Sequence, residues 1–139
     1  MSAQAAIVIN DGQTTPVAHT FNPKGAKTTA DRKDVALWRD QSPVNAAGYL
    51  TLTETHAPAN TNGIEKFRYV IDVPTLESPS SGGSFVPAPT RAYGTIAVIE
   101  VWAHQRASQQ ELKDIAAYVK NFTANAYFSN AILNREPAW

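Results

Sequence analysis

No cysteine occurs in the 139 residues, which removes disulfides, thiolate metal sites and thiol catalysis together. Histidine is scarce: His19, His56 and His104 stand on separate stretches, without the clustered spacing of a metal site. Neither sign of charge is in excess, since Lys+Arg and Asp+Glu are 12 each. No global basic surplus therefore announces nucleic acid, although a local basic face is compatible with that balance. No apolar run approaches the length of a membrane span, and the first residues lack a basic segment followed by an apolar one. A soluble chain without an export signal or membrane partner is expected. G-x-S-x-G, H-E-x-x-H and phosphate-binding glycine loops are all missing, as is any repeat at solenoid spacing. Enzymatic and metal-dependent functions thus lose their usual signatures, and neither catalytic residues nor a cofactor is expected.

What is present describes a folded chain, with hydrophobic content of 43% and charged content of 17%. The length fits one domain, 1–139. Strands come first. An apolar run at 6–9 stops at Asn10-Asp-Gly12, a turn signal, and a second run follows at 17–21, so a β-hairpin over 6–22 is predicted. Asn22-Pro-Lys-Gly25 should end it, leaving 26–33 as polar loop carrying Lys27, Arg32 and Lys33 close to Lys24. Asp31 and Asp34 are interleaved there, which favours a solvated loop. A short strand holding Trp38 is expected at 35–39.

The clearest pattern lies in the next two strands. In 49–55, Leu50 and Leu52 point one way and Thr51, Thr53 and Thr55 the other. In 65–73, Phe67, Tyr69, Ile71 and Val73 share one face, while Lys66, Arg68, Val70 and Asp72 share the other. One side is apolar and one hydrogen-bonding or basic, as in an antiparallel sheet with an open face. A Pro, Gly and Ser-rich stretch at 75–90 follows, long for a connection and expected to be a flexible, functional loop. The main sheet is expected to span 35–103.

Residues 91–102 form a long strand rich in β-branched and aromatic side chains. Glu100 is an isolated carboxylate there, expected in a buried hydrogen bond or a subunit contact. Helices are expected over 108–133. Ser108-Gln-Gln-Glu111 is a capping box, and Leu112, Ile115, Ala116, Val119 and Phe122 recur as one apolar stripe. A shorter segment after Asn125 carries Tyr127, Phe128, Ala131 and Ile132. Trp38, Trp102 and Trp139 are expected as core or interface aromatics.

Six strings in consistent order resemble the coat protein of the single-stranded RNA bacteriophages. They are Ile7-Val-Ile-Asn-Asp-Gly12, Phe21-Asn-Pro-Lys-Gly25, Val35-Ala-Leu-Trp38, Asp72-Val-Pro74, Thr90-Arg-Ala-Tyr93 and Glu136-Pro-Ala-Trp139. The resemblance implies an α+β fold: an N-terminal β-hairpin, a five-stranded antiparallel sheet and two C-terminal α-helices that interlock with a partner subunit. It implies a homodimer that assembles into an icosahedral shell in the cytoplasm of a bacterial host, with Leu112, Ile115, Val119 and Phe122 at the dimer interface. It further implies that Thr51, Thr53, Thr55, Lys66, Arg68, Tyr93 and Thr95 bind single-stranded viral RNA, including a stem-loop that represses replicase translation. The basic side chains would meet phosphates, the threonines base edges, and Tyr93 an unpaired base. The rival readings are a non-assembling RNA-binding regulator and a small α+β ligand-binding domain.

Overall fold

In the computed structural model, which describes residues 3–78, 83 and 87–137, six strands precede two helices. The strands are β1 (Ile7–Asn10), β2 (Ala18–Thr28), β3 (Asp34–Asp40), β4 (Leu50–Ala57), β5 (Ile64–Glu77) and β6 (Thr90–His104). The helices are α1 (Gln109–Thr123) and α2 (Ala126–Asn134). The chain separates into two compact units, Met1–Trp102 with the strands and Ala103–Trp139 with the helices.

The strands form one sheet in the order β1-β2-β3-β4-β5-β6. It is a six-stranded sheet rather than a hairpin set beside five strands, and β2 is the reason. Its first part pairs with β1, Ile7 opposite Phe21 and Asn10 opposite Ala18. Its second part pairs with β3, Asn22 opposite Arg39 and Thr28 opposite Asp34. The strand therefore continues through the stretch expected to end the hairpin. Gly25, at φ 105°, supplies the left-handed backbone that absorbs a register shift between Pro23 and Ala26. The loop expected at 26–33 shrinks to a turn closed by the Thr29 amide donating to the Lys33 carbonyl at 2.8 Å.

The core is small. Among the described residues Phe21, Trp38 and Leu52 are its buried hydrophobic members, with Ile7, Ala36, Leu50 and Ile71 packed against them. Trp38 lies opposite Leu52 and Leu52 opposite Ile71, so one face of three strands supplies most of it. The Trp38 indole donates to the Ala5 carbonyl at 2.8 Å, which leaves no polar cost in burying the ring. The connection expected at 75–90 is shortened from its N-terminal side, because β5 runs on to Glu77. Pro79, Gly82 and Ser84 of that stretch, and Trp139, lie outside the described residues.

In the helical unit the capping box forms in both directions. The Ser108 hydroxyl accepts from the Glu111 amide at 3.3 Å, and the Glu111 carboxylate accepts from the Ser108 amide at 2.7 Å. Asn125 caps α2 by accepting from the Tyr127 amide at 3.0 Å. Phe122 and Phe128 meet edge to face at 5.6 Å and join the two helices. No residue of either helix is buried.

Candidate nucleic-acid interface

The sheet face opposite the core is assembled by register. Residues directly opposed in an antiparallel ladder point the same way, and alternate residues along each strand share a face. Thr51 opposes Asp72, Thr53 opposes Val70, Thr55 opposes Arg68 and Ala57 opposes Lys66. On the other side Thr51 opposes Arg39 and Thr55 opposes Val35, which in turn opposes Lys27. One surface thus gathers Thr51, Thr53, Thr55, Lys66 and Arg68, with Arg39 and Lys27 beside them. Two concavities mark it. A depression of about 130 Å³ is lined by Lys33, Thr55, Ala57, Lys66 and Arg68. A groove of about 420 Å³ includes Lys24, Lys27, Leu37 and Thr53 in its lining.

Glu100 enters this surface from β6. Its Oε1 lies 2.9 Å from Lys66 Nζ and 3.5 Å from Arg68 Nε. The expectation of a buried hydrogen bond gives way to a partly exposed ion-pair cluster. The Lys66 ammonium is the main cause holding the Glu100 carboxyl below its ordinary value, against an opposing desolvation effect. Trp102 Nε1 approaches Glu100 Oε2 at 3.4 Å, and Lys66 Nζ sits 5.4 Å from the centre of the Trp102 ring, within cation–π range. At the other end of β5, Arg91 grips Asp72 through two hydrogen bonds of 2.9 and 2.7 Å.

These contacts set the phase of β6. Glu100 and Trp102 share the face of Lys66, and a Cβ built on Gly94 would stand 2.9 Å from the Asp72 carboxylate. By the strand's alternation Gly94, Ile96, Val98, Glu100 and Trp102 lie on one side. Arg91, two residues before Tyr93, also reaches Asp72, so at the start of β6 contacts to this surface come from both alternate sets of residues. Tyr93 and Thr95 are both exposed on β6. Register joins Thr51, Thr53, Thr55, Lys66 and Arg68 of the seven expected residues on one face. An aromatic side chain beside Lys66 is supplied by Trp102, which is 66% exposed. An acidic residue two positions before a tryptophan, facing a strand with Lys66 and Arg68, was the available signal.

Of the residues expected at a dimer interface, Leu112, Ile115 and Phe122 are exposed on α1 and Val119 is half-buried. Among the described residues no group of three His, Asp or Glu side chains is placed to hold a metal ion.

A family model described as "Levivirus coat protein" matches residues 2–139. Comparison with curated proteins finds no match. Solved structures with similar folds include the virus-like particle of bacteriophage NT-214, at 27% identity and a TM-score of 0.85 over 99% of this chain and 100% of that one. The virus-like particle of bacteriophage ESE058 is 29% identical, with a TM-score of 0.86 over 99% and 100%. The capsid protein of bacteriophage GA shares the fold at 17% identity and a TM-score of 0.69, with 95% of each chain covered.

Proposed function

The chain belongs to the levivirus coat protein family, and from that premise we propose that it acts as a homodimer that packages single-stranded viral RNA on its polar sheet face. Its role is structural and non-enzymatic, and its place is the capsid of the virion. Assembly in the cytoplasm of a bacterial host, and repression of replicase translation through an RNA stem-loop, belong to the same proposal.

The observation that carries the dimer is the end of the sheet. β6 is 15 residues long and stands last in the strand order, so its outer edge presents unpaired backbone donors and acceptors. A long bare edge is a pairing template, and a second copy offers a self-complementary partner for it. The helices add support, because Leu112, Ile115 and Phe122 remain exposed on a stripe suited to burial. Folding and dimerisation would then draw on the same buried area.

For RNA, the support is the threonine-lined face with Lys66 and Arg68 in one depression. Cations there supply phosphate contacts, the threonines hydrogen bonds, and Trp102 a ring on which an unpaired base can stack.

Expression of the protein alone tests the proposal by electron microscopy, light scattering and ultraviolet absorbance. Uniform shells carrying nucleic acid are expected. A small monodisperse species would overturn assembly, and empty shells would overturn RNA packaging. Lys66→Ala combined with Arg68→Ala should lower the nucleic-acid content of particles while leaving dimers intact.

A further inference from the structure

We propose that Glu100 is an internal competitor for RNA phosphate, occupying Lys66 and Arg68 until a phosphodiester of the bound strand takes its place. The proposal rests on the RNA-binding reading of this face and adds a rule for how that face discriminates. One carboxylate oxygen of Glu100 meets both cations, at 2.9 Å from Lys66 Nζ and 3.5 Å from Arg68 Nε. A phosphate oxygen would use the same two donors, since both ligands are anionic acceptors. The cations line a depression that also includes Lys33 and Thr55, so there is room for an anion beside them. All three charged groups are open to exchange, with side-chain exposures of 37% for Lys66, 47% for Arg68 and 29% for Glu100. Arg68 meets Glu100 through Nε at a distance beyond good hydrogen bonding, which leaves the terminal edge of its guanidinium outside that contact.

The energetics favour a weak latch. An ion pair this exposed is weak, so a phosphate can displace Glu100 without a large penalty. The carboxylate nonetheless repels any backbone that approaches, and it cancels part of the charge that drives sequence-independent binding. Phosphate contact alone is therefore discounted. RNA that also meets Thr51, Thr53 and Thr55, or stacks on Trp102, retains those contacts in full. Glu100 lowers affinity for arbitrary RNA more than it lowers the relative preference for a well-fitted strand.

The test is fluorescence anisotropy of an unstructured oligouridylate with the purified protein across a sodium chloride series. Glu100→Gln should tighten binding about two- to fivefold, the equivalent of one exposed ion pair. It should also steepen the dependence of log K on log salt by about 0.7, the single-strand value for one phosphate contact. Placed in the Lys66→Ala, Arg68→Ala background, the same substitution should change neither quantity by as much. Glu100→Ala, which lacks the amide, should repeat the Glu100→Gln result if loss of the negative charge is the cause. Unchanged or weaker binding in both Glu100 variants, while Lys66→Ala with Arg68→Ala still weakens binding, overturns the competitor and leaves the RNA face standing. No effect of Lys66→Ala with Arg68→Ala overturns the RNA reading of this face itself. Inorganic phosphate at matched ionic strength should displace the oligonucleotide no better than chloride. Selective displacement would make the depression a free-phosphate site and sink the proposal.

Discussion

His19 Nδ1 lies 2.7 Å from the carboxylate of Asp40, a contact that ties the start of β2 to the end of β3. The other ring nitrogen, Nε2, faces Asp11 at 3.5 Å, in the turn between β1 and β2. With a carboxylate on each side, both nitrogens act as donors only when the ring is an imidazolium. Asp40 is 2% exposed and also accepts from the Ser42 amide and hydroxyl, each at 2.9 Å. The Asp40 hydrogen bond is the largest cause raising the His19 pKa above 6.5, against desolvation. Burial alone would raise Asp40, but hydrogen bonds from Ser42 and His19 outweigh it and hold Asp40 below 3.8.

Linkage turns this contact into a pH profile for the folded chain. A raised histidine contributes stability that is complete below about pH 6.5 and disappears as pH climbs through the folded value. A lowered aspartate contributes stability that is complete above about pH 3.8 and disappears as pH falls through its folded value. Thermal melts should therefore peak between roughly pH 4 and 6.5 and decline on the alkaline side, beginning near neutrality. His19→Gln should flatten that alkaline decline. A decline of the same steepness in the variant would show that His19 is not its source.

Gly94 leaves room for an ion pair. A Cβ there would collide with Arg91 Nη2 and fall 2.9 Å from the Asp72 carboxylate. The first atom ends a flexible side chain, so Gly94→Ala should fold with the guanidinium pushed off Asp72. Loss of an exposed bidentate pair and the gain from replacing glycine in a strand roughly offset, and the net change should stay within about 1 kcal/mol. The sharper measurement is a double-mutant cycle by urea melts. Arg91→Ala should cost less in the Gly94→Ala background than in the parent; equal costs would mean that Gly94 does not protect the bridge.

Helix α1 offers a local control. Its N-terminus is held by reciprocal bonds between Ser108 and Glu111, and the Ser108 amide is the main cause holding the Glu111 carboxyl below its ordinary value. Ser108→Ala should cost about 1 kcal/mol in urea melts, the usual effect of removing such a cap. A change near zero would mean that fraying of the first turn is already tolerated.

The sequence pattern was informative where structure is local or strictly periodic. The capping box needs only Ser108 and Glu111. The faces of β4 and β5 could be read because Leu50 and Leu52 alternate with threonines, and Phe67, Tyr69 and Ile71 with Lys66 and Arg68. β2 was opaque for the opposite reason: Pro23 and Gly25 are break signals, and only the pairing partner shows that they form a bulge in a continuous strand. β6 was opaque in phase. Ile96, Ala97, Val98 and Ile99 carry no polar alternation, so the facing direction there is set by Lys66–Glu100 and Lys66–Trp102, contacts between distant parts of the chain. That is why Trp102, expected as a core or interface aromatic, was not foreseen beside Lys66.

Val119→Asp distinguishes a covered helical stripe from a bare one. Val119 stands one turn after Ile115 and one turn before Phe122, half-buried between exposed neighbours. On a helix open to water, an aspartate in the C-terminal half costs a few tenths of a kcal/mol in propensity and up to about 1 kcal/mol against the helix dipole. Beneath a partner subunit it would place an unpaired carboxylate in a dry interface, at a cost of several kcal/mol. The proposed dimer therefore predicts that Val119→Asp yields no soluble dimer or shell by sedimentation, whereas Ser108→Ala still assembles. Particles of normal size from Val119→Asp would place this stripe outside any subunit contact. The dimer would then depend on the edge of β6 alone.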